Sequence, residues 1–272
     1  MAAKTGIEWT QSTWSPITGC TKVSPGCDHC YAETMSRRLA AIGQAKYQGV
    51  VDGKGWTTEV RLHPEVLEGP FHWKQPRMIF VCSMSDLFHS KVPWDFIIDV
   101  FDTMKQCRQH TFQVLTKRPG RMAYFAEHIW PLFYDGRWPP NVWAGTSVES
   151  QKYAPRVECL LRVPAKTRFI SAEPLLGLLD LKPYFFRCTG CIPDADNPIC
   201  NCKGLAIHQI IAGGESGPRA RPMDLDWARS LRDQCQTSGV PFFYKQSSGL
   251  RPGMNRELDG KLWQEMPVGQ EG

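Results

Sequence analysis

Short apolar runs alternate along the chain with longer amphipathic stretches. Six runs rich in β-branched and aromatic residues have the length of buried strands, at 78–83, 111–116, 142–147, 167–172, 207–212 and 241–245. Between most of them, helical patterns cover 94–109, 120–129, 150–161 and 225–238. Ser150 and Asp224 are candidate helix N-caps, and Gly239 is a candidate C-cap. Alternating βα units of this length predict a parallel sheet, in either a doubly wound fold or a barrel.

The segments that follow the strands favour the barrel. Polar, motif-like sequences follow nearly every strand, namely SMSDLFH, TKRP, TSVES, SAEPL, GGESG and KQSSG. Loops after all strands of a (β/α) barrel converge on one face, whereas a doubly wound sheet concentrates its site at one switch point. We therefore expect an α/β fold with a partial (β/α)6 TIM-type barrel. Residues 1–272 would form one domain with insertions at about 43–76 and 183–204, the latter being Cys-rich and metal-stapled.

Composition places the chain among ordinary globular proteins. Of its 272 residues, 42% are hydrophobic and 22% are charged, with a net charge of +5. These values exclude a disordered tail, a coiled coil and a collagen-like chain. No run approaches the roughly 18 apolar residues of a membrane span, and the N-terminal segment lacks the apolar centre of a signal peptide. We expect a cytoplasmic protein with no membrane partner.

Seven of the eleven cysteines fall into two groups, Cys20, Cys27 and Cys30 in the first and Cys188, Cys191, Cys200 and Cys202 in the second. In a reducing compartment, clustered cysteines indicate metal ligands. The first group, spaced C-x6-C-x2-C among glycines, suits three irons of a 4Fe-4S cluster with the fourth iron open. Zinc with a further ligand such as His29, or no metal, remains an alternative. The second group suits structural zinc, with a second iron–sulfur cluster or an unmetallated loop as alternatives.

The segments WSPITGC, SPGCDHCYAE, CSMSDLFH, LTKRP, SAEPLLG, GGESG and YKQ together resemble the radical S-adenosylmethionine superfamily. Within it they look like a phage-borne and bacterial family of unassigned function, distantly similar to DNA photoproduct lyases. The resemblance extends from Ile7 to about Gly249. It implies a 4Fe-4S cluster on the first cysteine group, S-adenosylmethionine chelating the open iron, a 5′-deoxyadenosyl radical and an external electron donor. Two features depart from the superfamily, whose usual spacing is C-x3-C-x2-C and which usually has Tyr or Phe where His29 stands.

Polar residues after the strands are the other site candidates. The resemblance implies that Ser83, Ser85 and Asp86 contact the amino group of the cosubstrate. The full set of cofactor-binding candidates is His29, Ser83, Ser85, Asp86, Ser147, Gly213, Gly214 and Glu215. The glycines would allow close backbone approach to a ligand, or would simply end a strand. Glu149, Glu173 and Lys245 are candidate catalytic residues, although each carboxylate could instead form a structural ion pair at the barrel rim.

Basic residues of the loops indicate the substrate class. Lys117, Arg118, Arg219 and Arg221 lie among aromatic residues and are candidates for substrate binding. Cations beside aromatic faces suit phosphate contacts and base stacking, although a basic mouth could equally recruit the cosubstrate carboxylate. We predict a radical S-adenosylmethionine enzyme acting on a nucleic acid or nucleotide, with DNA photoproduct repair as one candidate reaction. The alternative is a non-catalytic, metal-stapled nucleic-acid-binding protein.

Overall fold

The computed structural model describes residues 3–188 and 203–267. Its main element is an eight-stranded sheet whose strands follow one another in chain order. They are β1 Ala3–Lys4, β2 Ser12–Trp14, β3 Met78–Val81, β4 Thr111–Thr116, β5 Val142–Ser147, β6 Arg168–Ala172, β7 Gln209–Gly213 and β8 Phe242–Gln246. β1 is antiparallel to β2, and the seven strands from β2 to β8 are parallel. Because each strand adds beside the preceding one, right-handed crossovers lie on one face and the sheet curls into a half-barrel.

The helices in the described residues are α1 Tyr31–Ala41, α2 Trp94–Gln106, α3 Pro119–Tyr124, α4 Arg156–Leu161, α5 Lys182–Phe185 and α6 Leu225–Ser238. Both predicted ends of α6 are confirmed: the Asp224 side chain accepts a hydrogen bond from the backbone N–H of Asp226, and Gly239 follows with φ 67°. The predicted helix over 150–161 begins only at Arg156. Pro155 lacks an N–H and interrupts the helical hydrogen bonds, so a short 3-10 turn precedes it.

The two faces of the sheet carry separate apolar clusters. The outer face packs against the helices, while an inner cluster consists of Trp9, Phe80, Trp143, Phe169, Ile211 and Phe243. Gly145 makes room for the Phe169 ring, since a Cβ at this position would lie 2.4 Å from a ring carbon. Two residues further along β6 and β8, the same inner face becomes polar with Ser171 and Lys245. The half-barrel is therefore closed by apolar side chains at its amino end and polar at its carboxyl end.

The α/β half-barrel agrees with the expected fold class, with one difference in strand number. The sequence predicts six parallel strands, and the structure has seven because β2 is also parallel to its neighbour. β2 has only three residues, too few to show the alternation on which the prediction relied. Among the described residues, no helix is both long enough and apolar enough to cross a membrane.

Two insertions flank this framework. In the first, Arg61–Leu62 pairs with Ile17–Thr18, and a second ribbon joins Val51–Asp52 to Gly55–Trp56. In the second, Phe186–Cys188 and Lys203–Leu205 form an antiparallel pair. Cys191, Cys200 and Cys202 lie outside the described residues, as does the side chain of Cys188. The predicted second metal site therefore stays a prediction.

Candidate functional site

The first three cysteines lie on one loop at the carboxyl edge of the sheet. This Cys loop, residues 20–30, follows Ile17–Thr18 and ends at α1, where Cys30 occupies the N-cap position. Cys20, Cys27 and Cys30 are all free thiols and partly exposed. The turn before the loop requires a glycine, because Gly19 has φ 91° and a Cβ there would lie 2.1 Å from a backbone oxygen.

Two of the three sulfur atoms, those of Cys20 and Cys30, lie near hydrogen-bond donors. Burial and the charge of Asp86 raise the pKa of Cys20 to about 12, and Arg118, whose Nη1 is 3.9 Å from Sγ, opposes this shift. Burial also raises the pKa of Cys30, opposed by the first backbone N–H groups of α1 and by the charge of Lys117. Ser24 Oγ also lies 3.9 Å from Cys27 Sγ, but its proton is donated to Glu149. A metal would have to displace the thiol protons, and the donors beside Cys20 and Cys30 would then stabilise those thiolates.

Asp86 and Arg118 anchor the beginning of the Cys loop. Asp86 follows β3 and is buried, and its carboxylate accepts hydrogen bonds from Thr116 Oγ1 at 2.7 Å and Arg118 Nη1 at 2.9 Å. The other end of the Arg118 guanidinium donates to the hydroxyl of Thr21 at 2.7 Å and to its carbonyl at 3.1 Å. The carboxylate thus fixes an arginine that in turn holds the residue next to Cys20.

Glu149 and Arg156 anchor the middle of the Cys loop. Glu149 follows β5 and is fully buried; it accepts hydrogen bonds from Ser24 Oγ at 2.6 Å and Arg156 Nη1 at 2.8 Å. Arg156 also donates to the carbonyl of Ser147 at 2.9 Å. A Cβ on Gly26 would lie 2.5 Å from Glu149 Cγ, so the loop backbone rests directly on this carboxylate. Both oxygens of Glu149 have protein partners, which favours the structural ion pair over a catalytic role.

Glu215 and Arg221 form the third anchor. Glu215 follows β7 and accepts hydrogen bonds from the backbone N–H and guanidinium of Arg221, and it lies 2.9 Å from His29 Nδ1. Burial raises the pKa of Glu215, but the bonds from Arg221 and His29 outweigh it, so the net pKa is lowered. Arg221 Nη2 also donates to the carbonyl of Pro25 at 2.7 Å. Three carboxylate–arginine pairs therefore hold successive parts of the Cys loop.

A protein-family model matches residues 4–267, nearly the whole chain. The chain belongs to the DUF5131 family. The description of this family is a protein of unknown function, so membership assigns neither an activity nor a cofactor. Comparisons with curated proteins and with solved structures gave no match.

In this DUF5131 chain, Glu173 and Lys245 form an ion pair that is separate from the Cys loop anchors. Lys245 Nζ lies 2.9 Å from Glu173 Oε1, and Ser171 donates to the other carboxylate oxygen at 3.2 Å. Burial disfavours the charge on Lys245, but the Glu173 carboxylate outweighs it and raises the lysine pKa. Both side chains are only partly buried and lie at the polar end of the inner face. They remain candidates for contact with a substrate.

Lys117 lies between the Cys loop and β5. Its Nζ is 3.3 Å from Ser147 Oγ and 3.8 Å from Glu149, whose oxygens already serve Ser24 and Arg156. The predicted cofactor-binding Ser147 is almost completely buried. Among the described contacts, the Lys117 ammonium group therefore has one neutral partner and shares a carboxylate with two other groups, and its ligand-binding role stays a prediction.

Several other predicted residues have packing roles in this structure. Gly214 touches the segment after β8, since a Cβ there would lie 2.5 Å from the backbone nitrogen of Ser248. Gly213 lies against Glu173, since a Cβ at this position would lie 3.1 Å from Glu173 Oε1. Ser85 Oγ donates to the carbonyl of Ile17 at 2.9 Å. Close chain packing at these positions is sufficient to explain the glycines and this serine.

Ser83 and Arg219 lie in the segments after β3 and β7, and Ser83 is half-buried. The carbonyl of Ser83 accepts a hydrogen bond from the Tyr31 hydroxyl, at the start of α1. Arg219 is exposed and has no carboxylate partner within the described ranges. Within residues 3–188 and 203–267, no three His, Cys, Asp or Glu residues are arranged around a single metal ion. A 4Fe-4S cluster instead takes each thiolate on a different iron.

Sequence reasoning selected the three carboxylates and also the partners of two of them, Arg118 and Arg221, as substrate-binding candidates, but it missed both partners of Glu149. Ser24 and Arg156 were not among the predicted site residues, although each makes a short hydrogen bond to Glu149. A signal for Arg156 was present: a carboxylate directly after a buried strand needs a cation, and the following loop and helix start offer Lys152 and Arg156. No local pattern singles out Ser24, because its partner is 125 positions away.

Proposed function

We propose that this protein is a radical enzyme that binds a 4Fe-4S cluster through Cys20, Cys27 and Cys30 and cleaves S-adenosylmethionine. One observation carries the proposal: three free, partly exposed thiols share a loop that three buried carboxylate–arginine pairs anchor at the carboxyl edge of a parallel half-barrel. Enzymes with barrel folds have their active sites at this edge. The proposed substrate is a nucleic acid or a nucleotide.

The residues around the thiols fit such a cluster. Arg118 lies beside Cys20, and the first N–H groups of α1 lie beside Cys30. Hydrogen bonds to cysteine sulfur tune the reduction potential of iron–sulfur clusters, so these donors suit a redox-active centre. When bound, the cluster would supply an open iron for the cosubstrate and the electron for its cleavage.

The chain's own residues would organise the rest of the site. The anchors fix the Cys loop before any ligand binds, so little ordering entropy remains to be lost on binding. The inner apolar cluster closes the amino end of the half-barrel and excludes water from that side. Lys117 and the Glu173–Lys245 pair supply charges at the polar end, where they would orient anionic or amino groups of the ligands.

The positive charge of the chain supports a nucleic acid or a nucleotide as the substrate. The chain carries a net charge of +5, and Lys117, Lys245 and Arg219 lie around the carboxyl edge. Cations of this kind contact phosphates in nucleic-acid-binding proteins. A non-catalytic nucleic-acid-binding protein would share them, but it would need neither iron nor S-adenosylmethionine. These two requirements separate the two functions.

The test is anaerobic reconstitution followed by measurement of iron, sulfide and zinc and by electron paramagnetic resonance of the reduced protein. We expect about four irons bound through the Cys loop, and a spectrum that S-adenosylmethionine perturbs. Cys27→Ala should lose this iron, whereas Cys159→Ala, which changes a partly exposed cysteine outside the loop, should keep it. Wild-type protein that retains no iron, or a spectrum unchanged by S-adenosylmethionine, would overturn the proposal.

A further inference from the structure

A cavity of about 340 Å³ lies beside the Cys loop. Its walls include Pro25, Ser150, Tyr153, Leu176, Arg221 and Trp227. The cavity is at the small end of the range for ligand sites, a size that suits a single heterocyclic ring rather than a whole dinucleotide. Because Pro25 belongs to the Cys loop, any ring held here would lie against that loop.

The cavity has two aromatic side chains from separate elements. Tyr153 belongs to the 3-10 turn after β5, and Trp227 belongs to the first turn of α6. Within the described ranges, the Tyr153 hydroxyl, the Trp227 indole N–H and the Ser150 hydroxyl make no hydrogen bond to protein. The walls therefore offer aromatic faces for stacking together with unused polar groups for the edge of a ring.

The tyrosine ring is held by the same network that anchors the Cys loop. The Arg156 guanidinium lies 4.4 Å from the centre of the Tyr153 ring and is bonded to buried Glu149. On the other side of the cavity, Arg221 is bonded to Glu215 and to the carbonyl of Pro25. A pre-ordered aromatic ring loses little entropy when it stacks on a ligand.

Two cations near the wall residues have no carboxylate partner in the part of the chain that the structure describes. Lys152 Nζ lies 5.9 Å from the centre of the Tyr153 ring, and Arg219 stands two positions before Arg221 in the sequence. The acidic residues nearby are already engaged, since Asp28 lies 3.6 Å from Arg221 and Asp226 lies 2.7 Å from Arg229. A ligand that carries negative charge next to a planar ring matches this combination.

From these observations we infer that the cavity is a base-stacking subsite: it takes one nucleobase of a nucleotide or single-stranded nucleic acid, with the adjoining phosphates near Lys152 and Arg219. The inference rests on the proposed function and narrows its substrate class. Stacking on Tyr153 and Trp227 would hold the base beside the Cys loop. Aromatic stacking of this kind is sequence-tolerant, because every base has a π face.

The test measures binding of a fluorescent single-stranded DNA oligonucleotide, and of an abasic oligonucleotide of equal length, to the full, reconstituted chain. Tyr153→Leu should weaken binding of the normal oligonucleotide about tenfold or more, because stacking on the ring is lost. The control is Tyr124→Leu, which changes an exposed tyrosine on α3, whereas Tyr153 is half-buried. Wild-type protein should bind the abasic oligonucleotide correspondingly less tightly. Circular dichroism checks that both variants are folded.

A second variant tests the charges while both aromatic side chains of the cavity are kept; it removes one cation that lies 5.9 Å from the centre of the Tyr153 ring. Lys152→Ala combined with Arg219→Ala should reduce the slope of log affinity against log salt by about 1.4, since two phosphate contacts are lost. Lys54→Ala with Lys166→Ala is the control, because both residues are exposed and have no carboxylate partner in the described residues. An unchanged slope in the first double variant would count against the subsite.

The failures of the two proposals give different results. Equal affinity of wild type and Tyr153→Leu, or equal affinity for normal and abasic oligonucleotides, would overturn the subsite while leaving the cosubstrate effect on the resonance spectrum intact. Binding of a tryptophan-containing peptide that depends on Tyr153, without binding of either oligonucleotide, would overturn it in favour of a protein partner. Loss of the cosubstrate effect in the wild-type protein would instead refute the proposed function.

Discussion

Replacing Glu149 with alanine tests whether this carboxylate anchors the Cys loop or performs chemistry. The side chain is fully buried and bonds to Arg156 at 2.8 Å and Ser24 at 2.6 Å. Glu149→Ala removes both bonds and leaves the Arg156 guanidinium without its carboxylate partner. Breaking a buried ion pair by removing one partner costs about 3–5 kcal/mol. Arg156 keeps its bond to the Ser147 carbonyl and its contact with the Tyr153 ring, so we expect a loss near the lower limit, about 3 kcal/mol.

Urea unfolding followed by circular dichroism measures this loss as a lower midpoint at an unchanged slope. The control is Glu127→Ala, which removes an exposed carboxylate that pairs with Arg162 on the surface and should change the midpoint little. Iron uptake provides a second readout, because a loosened Cys loop should bind the cluster less well. A loss below about 1 kcal/mol with normal iron uptake, but without turnover, would refute the anchoring role and indicate a catalytic carboxylate.

Three further predictions concern the same region. Gly26→Ala should lower the free energy of unfolding by about 1–3 kcal/mol and reduce iron uptake, because its Cβ would lie 2.5 Å from Glu149. The control in the same assays is Gly53→Ala, since Gly53 has open space around it. The lowered pKa of Glu215 contributes stability above about pH 4.5, and this stability is lost as the pH falls through the folded-state pKa. Glu215→Gln should therefore make the unfolding midpoint fall less steeply between about pH 6 and 3. An equally steep fall in the variant would contradict this. Lys245→Met should abolish turnover but leave iron content at the wild-type level, and iron loss would show that the Glu173 pair supports the Cys loop.

The fold was predictable where burial dominates the sequence. The strands at 111–116 and 142–147 have the predicted bounds, because both faces of a central parallel strand are covered and the apolar run stands out. β2 was missed because three residues carry no usable period. The strand-end rule also located Asp86 and Glu215, but it could not tell a ligand-binding carboxylate from one that is paired within the protein.

The partners of the site residues depend on the curvature of the sheet. Tyr153 and Trp227 are far apart in the chain, and they line one cavity only because β5 and β7 end at the same edge of the half-barrel. The pairing of Ser24 with Glu149 likewise joins an N-terminal loop to the end of the fifth strand. Periodicity reports which face a residue occupies, whereas contacts between loops depend on the strand order and the curl of the whole sheet.

The six-residue gap between Cys20 and Cys27 has a physical explanation in these contacts. Four of the six residues dock on the rim: Thr21 accepts from Arg118, the Ser24 hydroxyl and the Gly26 backbone meet Glu149, and the Pro25 carbonyl accepts from Arg221. A gap of three residues could not supply all four contacts. The longer gap thus gives a Cys loop that side chains at the ends of the barrel strands hold in place.

The same contacts explain the histidine before the last cysteine. His29 lies 2.9 Å from Glu215, which is also bonded to Arg221, so its ring is part of the third anchor. A phenylalanine ring could not make this bond. The six-residue gap and the histidine therefore have one cause: this Cys loop is positioned by side chains at the ends of β3, β5 and β7, and its sequence is fitted to them.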